Sequence, residues 1–238
     1  MGRIFETRKV KMFARWAKTA RAFTKVGKEI AIAVKLGGAD PDGNPRLRAA
    51  IQTGRSLNMP KDRIEAAVQR AASKDTASYD EVTYEGHGPY GIGIFVETAT
   101  DNSTRTVANV RAAFSHNGGS LGTNGCLSFL FDRKGVITIE PPQGDLSELE
   151  LELIDNGLEE IFETEEGLVL YSSFSDYGSM QRFLESKKVI IKNASSQRIA
   201  KSLTPVTAAQ EAEVMKLIEA LEEDDDVQHV YHNMQVEG

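Results

Sequence analysis

The chain has 238 residues, of which 40% are hydrophobic and 26% are charged, so it can bury a core and can form more than one domain. No apolar run approaches the ~20 residues of a membrane-spanning helix, and we expect no contact with a membrane. The single cysteine, Cys126, excludes an internal disulfide and a cysteine-based metal cluster, so a cytoplasmic location is expected. Nothing in the composition calls for a cofactor.

Charge is divided unevenly along the chain, whose formal net charge is −7. Residues 1 to 74 carry 17 lysines and arginines against 6 acidic residues, a net charge of +11. Residues 75 to 238 carry 11 against 29, a net charge of −18. This segregation predicts a basic module that binds a polyanion and an acidic body that the polyanion avoids.

Basic residues between Thr7 and Lys28 recur at helical spacing, with no acidic residue among them. Solvated helix faces usually interleave the two signs and gain pairs worth ~0.2–0.5 kcal/mol each, which this segment forgoes. We therefore favour polyanion binding over a merely solvated surface. The candidate contacts here are Arg8, Lys9, Lys11, Arg15, Lys18, Arg21, Lys25 and Lys28.

Apolar residues at three- and four-residue spacing predict three further helical segments, and hence a helical bundle over residues 1–75. The first ends at Gly37-Gly38, the second begins with Asn44 as its cap, and the third begins at Pro60. The last two permit a helix-turn-helix, although spacing does not define the crossing angle that this motif needs. Outward basic residues extend the candidate surface with Arg46, Arg48, Arg55, Lys61 and Arg63.

The segment from residue 100 to 135 predicts a strand end, a helix, a glycine-rich turn and a second strand, which is half of a split β-α-β unit. Asp101 or Asn102 can cap the helix, and the second strand begins at Leu127. A late helix and strand supply the rest of a central ferredoxin-like domain, over residues 79–134 and 203–238. The helix surface offers possible secondary contacts at Asn102, Arg105 and Arg111.

Residues 135–202 predict a β-α-β-β-α-β order, the pattern of an acidic ferredoxin-like domain whose first strand begins at Val136. Glu222 to Asp226 adds a run of five more acidic residues near the end of the chain. We interpret these acidic surfaces as favouring solubility and repelling nucleic acid. The expected fold class is α+β, with an N-terminal helical bundle followed by two ferredoxin-like α/β domains, the third inserted into the second.

A family resemblance covers the chain from about Phe23 to Gly135. Its most specific part is Asn117-Gly118-Gly119-Ser120-Leu121-Gly122, followed by Gly125 and the Phe129 to Gly135 strand. Further matches are Phe23-Thr24-Lys25, Glu29-Ile30, Gly37-Gly38-Ala39-Asp40-Pro41, Asn44-Pro45-Arg46-Leu47-Arg48, Asn58-Met59-Pro60-Lys61-Asp62 and Tyr84-Glu85-Gly86. With these motifs the chain resembles the YebC/PmpR family. The resemblance implies the three-domain layout and a probable transcriptional regulator that binds DNA. A mitochondrial relative activates translation of a subunit of the respiratory-chain complex cytochrome c oxidase.

No motif for phosphoryl, hydride or acyl transfer is present, and the four histidines do not suggest a metal site, so we expect a binding protein without enzymatic activity. Three functions remain open. The first is a DNA-binding transcriptional regulator whose acidic domains dimerise or recruit a protein partner. The second is a translation factor that binds ribosomal or messenger RNA, and the third is an adaptor whose basic module binds an acidic protein. We place transcriptional regulation first.

Overall fold

The computed structural model describes residues 2–73, 78–141, 146–165 and 167–235, without the side chains of residues 2–17 and 148. The chain forms two compact units. The first consists of Met1–Leu127 with Thr204–Gly238, and the second of Ser128–Leu203.

Three helices open the chain, and strands and helices are interspersed after them. The helices are α1 (Gly2–Gly37), α2 (Pro45–Ser56), α3 (Lys61–Ala72), α4 (Ser103–His116), α5 (Leu146–Asp155), α6 (Tyr177–Ser186) and α7 (Ala208–Glu222). The strands are β1 (Asp80–His87), β2 (Gly93–Thr100), β3 (Ser120–Leu121), β4 (Phe131–Ile139), β5 (Leu158–Thr164), β6 (Gly167–Ser173), β7 (Ile191–Ala200), β8 (Thr204–Pro205), β9 (Val227–His232) and β10 (Met234–Gln235). The α+β fold class expected from the sequence is confirmed.

The basic segment and the apolar segment after it form one helix, α1, where the residue pattern predicted two helical segments. No proline interrupts residues 2–37, and Gly38, with a φ of 86°, takes the left-handed conformation just after the helix end. Helices α2 and α3 pack along α1. Gly54 makes the crossing close, because a Cβ there would lie 3.3 Å from both Val26 and Ile64.

Asn44 joins the end of α1 to the start of α2, as the predicted cap. Its side-chain oxygen accepts a hydrogen bond from the Leu47 amide at 3.1 Å. Its side-chain nitrogen donates to the carbonyl oxygens of Ala33 at 2.7 Å and Gly38 at 2.8 Å. The side chain is buried, so these bonds satisfy polar groups that water does not reach.

The sheet of the first unit has the antiparallel order β3-β1-β2-β9, and α4 and α7 share one hydrophobic core against it. A split β-α-β unit is present, with β2 and β3 joined by α4 and β1 between them, but its second strand, β3, lies within the segment expected to be a glycine-rich turn and not at Leu127. Glycine and proline indicate a turn-rich approach over residues 84–91, whereas residues 80–87 in fact form β1. Gly86 is a glycine of close approach, since a Cβ there would meet Ser120 at 2.6 Å and Phe114 at 2.8 Å.

The predicted strand over residues 127–131 is also corrected. Residues 124–130 form turns, and the strand expected from Leu127 and the one expected from Val136 are replaced by the single strand β4 from Phe131 to Ile139. The Glu85 carboxylate accepts hydrogen bonds from the amides of Gly125 at 2.8 Å and Leu127 at 2.6 Å, which holds this backbone in its turn. Pairing along the whole of β4 with β7 keeps the later residues extended.

The second unit has the β-α-β-β-α-β order that the sequence predicts. Its four strands pair antiparallel in the order β5-β6-β4-β7, and α5 and α6 share one core with them. Leu153 of α5, Leu170 of β6 and Met180 of α6 are fully buried in that core. This arrangement leaves β5 at one edge of the sheet and β7 at the other.

Candidate nucleic-acid interface

The candidate surface on α1 falls into two parts. Arg8, Lys9, Lys11 and Arg15 lie in the helix, but their side chains are outside the described residues. They remain candidate contacts from the sequence. From Lys18 onward the structure describes the side chains, and it gives the basic residues different environments.

Lys28 is buried, in contrast to its expected role as a surface contact. Its ammonium donates to Asp226 Oδ1 at 2.6 Å, to the Asp225 carbonyl at 2.8 Å and to the Ala99 carbonyl at 3.2 Å. An ammonium group has three hydrogens to donate, and these contacts account for all of them. Lys28 therefore fixes α1 to the central sheet, and we remove it from the interface.

Asp226 is the centre of a buried polar cluster. Its Oδ2 accepts hydrogen bonds from Arg105 at 2.6 Å, Thr106 at 2.8 Å and Thr100 at 3.2 Å, and its Oδ1 accepts from Lys28. Burial alone would raise the pKa of this carboxyl, but hydrogen bonds from Lys28, Arg105 and Thr106 outweigh burial and lower the pKa to about 2. Asp226 is therefore charged in the folded protein at neutral pH.

Arg21 and Lys25 also meet the acidic run near the chain's end. Lys25 Nζ donates to the Glu222 carbonyl at 3.2 Å, and Arg21 lies 3.6 Å from the Glu223 carboxylate. The Lys25 contact places a cation at the C-terminal end of α7, where helix carbonyls are unsatisfied. The acidic run was expected to serve solubility. In the fold it supplies counter-charges to the basic segment of α1, which has no acidic residue of its own.

Arg46 is held between two carboxylates rather than free at the surface. It donates to Glu29 of α1 at 2.7 and 3.2 Å and to Glu81 of β1 at 2.6 and 3.1 Å. Burial lowers the pKa of Arg46, and the hydrogen bonds to Glu81 and Glu29 raise it further than burial lowers it. Arg46 therefore ties α2 to α1 and to the central sheet.

Two other candidates of the bundle have local contacts. Arg48 is half-buried and donates to the carbonyls of Pro41 and Asp42, both at 2.8 Å, which closes the loop before α2. Lys61 is exposed and lies 3.6 Å from Glu65 one turn later. An exposed pair of this type contributes little and is readily broken, so Lys61 stays available to another anion.

Lys18, Arg55 and Arg63 are exposed, and no ion pair holds them within the part of the chain that the structure describes. Arg55 follows Gly54 and Arg63 precedes Ile64, the two residues that meet at the crossing of α2 and α3. Both arginines are therefore adjacent in sequence to one contact between α2 and α3. These three residues are the described cations best placed to receive an external anion.

The three candidates at α4 also differ in whether the protein's own residues already contact them. Asn102 caps the helix by accepting a hydrogen bond from the Arg105 amide at 3.0 Å. Arg105 pairs with Asp101 at 2.7 Å as well as with Asp226, and these two hydrogen bonds raise its pKa. Arg111 is exposed. Asn102 and Arg105 are thus engaged by their own helix and by Asp226, and Arg111 is the candidate of the three best placed for a surface contact.

The carboxylates that neutralise this surface were missed by sequence reasoning. The sequence could have indicated the role of Glu29, because it is the single acidic residue between Thr7 and Gly37. No such indication exists for Asp226, because it lies 198 positions from Lys28 in the chain.

Two glycines of the glycine-rich motif lie where the backbone has no room for a side chain. A Cβ at Gly119 would lie 2.7 Å from the His87 carbonyl, and one at Gly122 would lie 2.6 Å from the Cys126 sulfur. These glycines let β3 and the following turns approach β1. Across the described ranges, no group of three or more His, Cys, Asp or Glu residues could hold a metal ion, and no helix is long and apolar enough to cross a membrane.

Two family models cover nearly the whole chain. The model described as the TACO1/YebC protein N-terminal domain matches residues 3–74, and that described as the TACO1/YebC second and third domain matches residues 79–234. This chain belongs to the TACO1/YebC family. The bundle α1–α3 is accordingly the N-terminal domain of a TACO1/YebC protein, and strands β1 to β9 lie in the part matched by the second model.

Curated TACO1/YebC relatives match over their full length. A protein of Parabacteroides distasonis is 53% identical over 98% of this chain and 97% of its own length. One of Porphyromonas gingivalis is 53% identical over 100% and 98%, and one of Anaeromyxobacter dehalogenans is 50% identical over 98% and 100%. Each of these relatives is named a probable transcriptional regulatory protein.

A solved structure shares the fold. The crystal structure of a conserved hypothetical protein from Aquifex aeolicus is 36% identical in sequence, with a TM-score of 0.78. The match covers 92% of this chain and 91% of the Aquifex chain. The α+β architecture of this TACO1/YebC chain therefore has an experimental counterpart.

Proposed function

We propose that this chain is a transcriptional regulator that binds DNA through the helical module α1–α3. The names of the full-length relatives support the regulatory role. The observation that carries the DNA-binding part is the exposure of Arg55 on α2 and Arg63 on α3, each next in sequence to a residue of the Gly54 and Ile64 contact. Arginines on a rigid helical module are suited to the phosphate contacts that supply most of the affinity for DNA.

The proposed interface is smaller than the set of basic residues in the sequence. Its described members are Lys18, Arg55, Lys61 and Arg63, with Arg111 as a secondary contact, and Arg8, Lys9, Lys11 and Arg15 extend it along α1. Arg21, Lys25 and Arg48 are at its margin, because carbonyls or carboxylates of the chain already contact them. Lys28, Arg46 and Arg105 position the module.

Binding to ribosomal or messenger RNA, as in a translation factor, is the alternative. Exposed cations on helices contact RNA phosphates as readily as DNA phosphates, and the acidic remainder of the chain confines contact with any polyanion to the basic module. A protein adaptor, in which the module binds an acidic partner, uses the same cations. The proposal assigns the chain no enzymatic activity.

The organisation around the module is part of the same proposal. We assign residues 1–75 to a nucleic-acid-binding domain, residues 79–134 and 203–238 to the central domain, and residues 135–202 to the inserted acidic domain. The acidic domains would carry contacts to a second copy or to a protein partner. A cytoplasmic location is consistent with the single cysteine.

The test measures binding of the intact chain to duplex DNA and to purified ribosomes from 50 to 200 mM salt. The variant Arg55→Glu/Arg63→Glu should lose DNA affinity by at least about tenfold, and the slope of log K against log salt should fall by about 0.9 for each phosphate that the variant no longer neutralises. The matched control is Arg182→Glu/Lys216→Glu, which makes the same charge change at residues outside the module.

Each outcome decides between the candidates. Sequence-selective duplex binding that the control retains and the module variant loses supports a transcriptional regulator. Ribosome binding that persists at 200 mM salt while DNA binding disappears identifies a translation factor instead. An equal decrease of binding in both variants means that net charge alone governs affinity, and it overturns the assignment of the interface to Arg55 and Arg63.

A further inference from the structure

The second unit contains an open groove between α5 and β5, with a volume of about 320 Å³. We call it the α5–β5 groove. Its apolar residues include Ile154, Leu158 and Phe162, and its carboxylates are Glu150, Glu159 and Glu160.

Apolar side chains beside the groove are partly exposed. Ile154 is 53% exposed and Phe162 is 45% exposed, although both lie beside a well-packed core. Single exposed apolar residues are common on protein surfaces, but Ile154 adjoins the half-buried Leu158 in one concave site, so burial of this area would be favourable. The groove therefore has the character of a surface that is covered in a complex.

The charge around the groove specifies the occupant. Between residues 140 and 166 the sequence has eleven acidic residues and no basic one. Lys134 approaches Glu159 at 3.1 Å and Glu160 at 3.6 Å, so one lysine faces two of the three carboxylates of the groove. The surplus is negative, which favours a cationic occupant and repels nucleic acid.

The backbone beside the groove can bind an extended chain. Strand β5 is at the edge of its sheet and, within the described ranges, pairs with β6 alone. An edge strand presents unpaired amide and carbonyl groups that can accept another strand, and the side chains of that strand then alternate between its two faces. At ~3.3 Å per residue, the seven residues of β5 match a segment of about the same length.

We propose that the α5–β5 groove binds an extended cationic segment of a partner protein, added as a strand to the free edge of β5. Alternate apolar side chains of the segment cover Ile154 on the α5 side of the sheet, and the lysines or arginines between them face the opposite side, where Glu160 lies beside Phe162. This site is separate from the nucleic-acid interface and does not depend on the proposed function. It gives the acidic unit a binding role of its own.

The test uses the intact chain, free of nucleic acid, and a fluorescein-labelled seven-residue peptide that alternates lysine and valine. Fluorescence anisotropy should show saturable binding of this peptide. A peptide that alternates lysine and serine, and one that alternates glutamate and valine, should each bind at least about tenfold more weakly, because each lacks one of the two required features.

Two peptide analogues report on strand addition. In an added strand the amides that face β5 come from every second residue, so they belong either to all the lysines or to all the valines. N-methylation of one set should abolish binding, while N-methylation of the other set should preserve it. A helical or purely electrostatic complex would not show this asymmetry.

Protein variants locate the site. Ile154→Lys places a positive charge in the groove at an exposed position. It should lower the affinity for the lysine–valine peptide at least about tenfold without unfolding the protein. Leu151→Lys is the matched control, since Leu151 is 67% exposed on the same helix but does not line the groove. It should leave the peptide's affinity within about twofold of the original.

The proposal is overturned if Ile154→Lys and Leu151→Lys lower the affinity for the lysine–valine peptide equally, or if the two methylated peptides bind with equal affinity. It is also overturned if sedimentation shows a dimer of the chain that Ile154→Lys dissociates, because the occupant is then a second copy. Selective weakening by Ile154→Lys in a monomeric protein, together with the methylation asymmetry, supports it.

Discussion

The Lys28 ammonium lies 2.6 Å from the Asp226 carboxylate, and both side chains are almost completely buried. The two partners are not equivalent. Asp226 keeps hydrogen bonds from Arg105, Thr106 and Thr100 if Lys28 is removed. If Asp226 is neutralised, Lys28 keeps two backbone carbonyls and the face of the Tyr79 ring but loses its carboxylate. A buried charge without its counter-charge is costly, so the cost of substitution should differ between the two positions.

Asp226→Asn should lower the free energy of unfolding of the first unit by about 3–5 kcal/mol, because it leaves the Lys28 ammonium buried and unneutralised. Lys28→Met should cost no more than about 2 kcal/mol. Urea unfolding of both single variants and of the double variant measures these values. A double variant that is no more stable than Asp226→Asn would contradict the proposed cause, since removal of the lysine should relieve part of the penalty.

Acid should weaken the same contact in a defined pH range. The pKa of Asp226 is about 2 in the folded chain, against about 3.9 for an unfolded aspartate. The lowered pKa stabilises the fold fully above pH ~4, and this contribution, on the order of 2 kcal/mol, is lost as pH falls from about 4 to about 2. The stability difference between the original chain and Asp226→Asn should therefore shrink over that range. A difference that stays constant down to pH 2 would show that ionisation of Asp226 does not supply it.

We expect Arg46→Ala to lower stability and Arg55→Ala to lower DNA affinity, because Arg46 holds elements together and Arg55 lies on the surface. Arg46 bonds to Glu29 and Glu81 across three elements, so its removal should reduce the free energy of unfolding by about 1–2 kcal/mol. Arg55 is exposed, and its removal should change that energy by less than about 0.5 kcal/mol while it weakens DNA binding. Thermal unfolding and DNA titration of both variants make the comparison. Equal thermal shifts would be incompatible with the roles assigned here.

Asn44→Ala should destabilise the helical bundle by about 2 kcal/mol, since it removes the cap of α2 and leaves the carbonyls of Ala33 and Gly38 without their donor. The control is Thr53→Ala, which removes an exposed hydroxyl bonded within α2 and should cost little. Chemical unfolding followed by circular dichroism at 222 nm reports both. A Thr53→Ala cost that equals that of Asn44→Ala would argue against a special role for the cap.

Local signals in the sequence predicted much of the fold. Asn44 and Pro45 fixed the start of α2, and the order of elements in residues 135–202 followed from alternating apolar patterns and turn residues. Strand β1 was missed because Gly86 suggests a turn, whereas its real cause is the proximity of Phe114, which only the folded chain reveals. A glycine that permits close approach and one that permits a turn look alike in a sequence.

The candidate interface was predictable in composition but not in detail. The excess of basic residues identified the module, yet spacing alone could not show that Lys28 and Arg46 are neutralised by carboxylates of other elements. Such pairs depend on tertiary contacts across nearly the whole chain. The exposed set of Lys18, Arg55 and Arg63 emerges only once those pairs are subtracted.

The long separation of Lys28 and Asp226 also bears on the order of events during synthesis. Helices α1–α3 leave the ribosome first and contain their own apolar cluster, so they can begin to pack early. Asp226 is made 198 residues after Lys28, when the whole of the second unit has already been synthesised. On a nascent chain Lys28 is therefore without its carboxylate until residue 226 has been made, so this contact between α1 and the central sheet forms after those of Arg46 with Glu81.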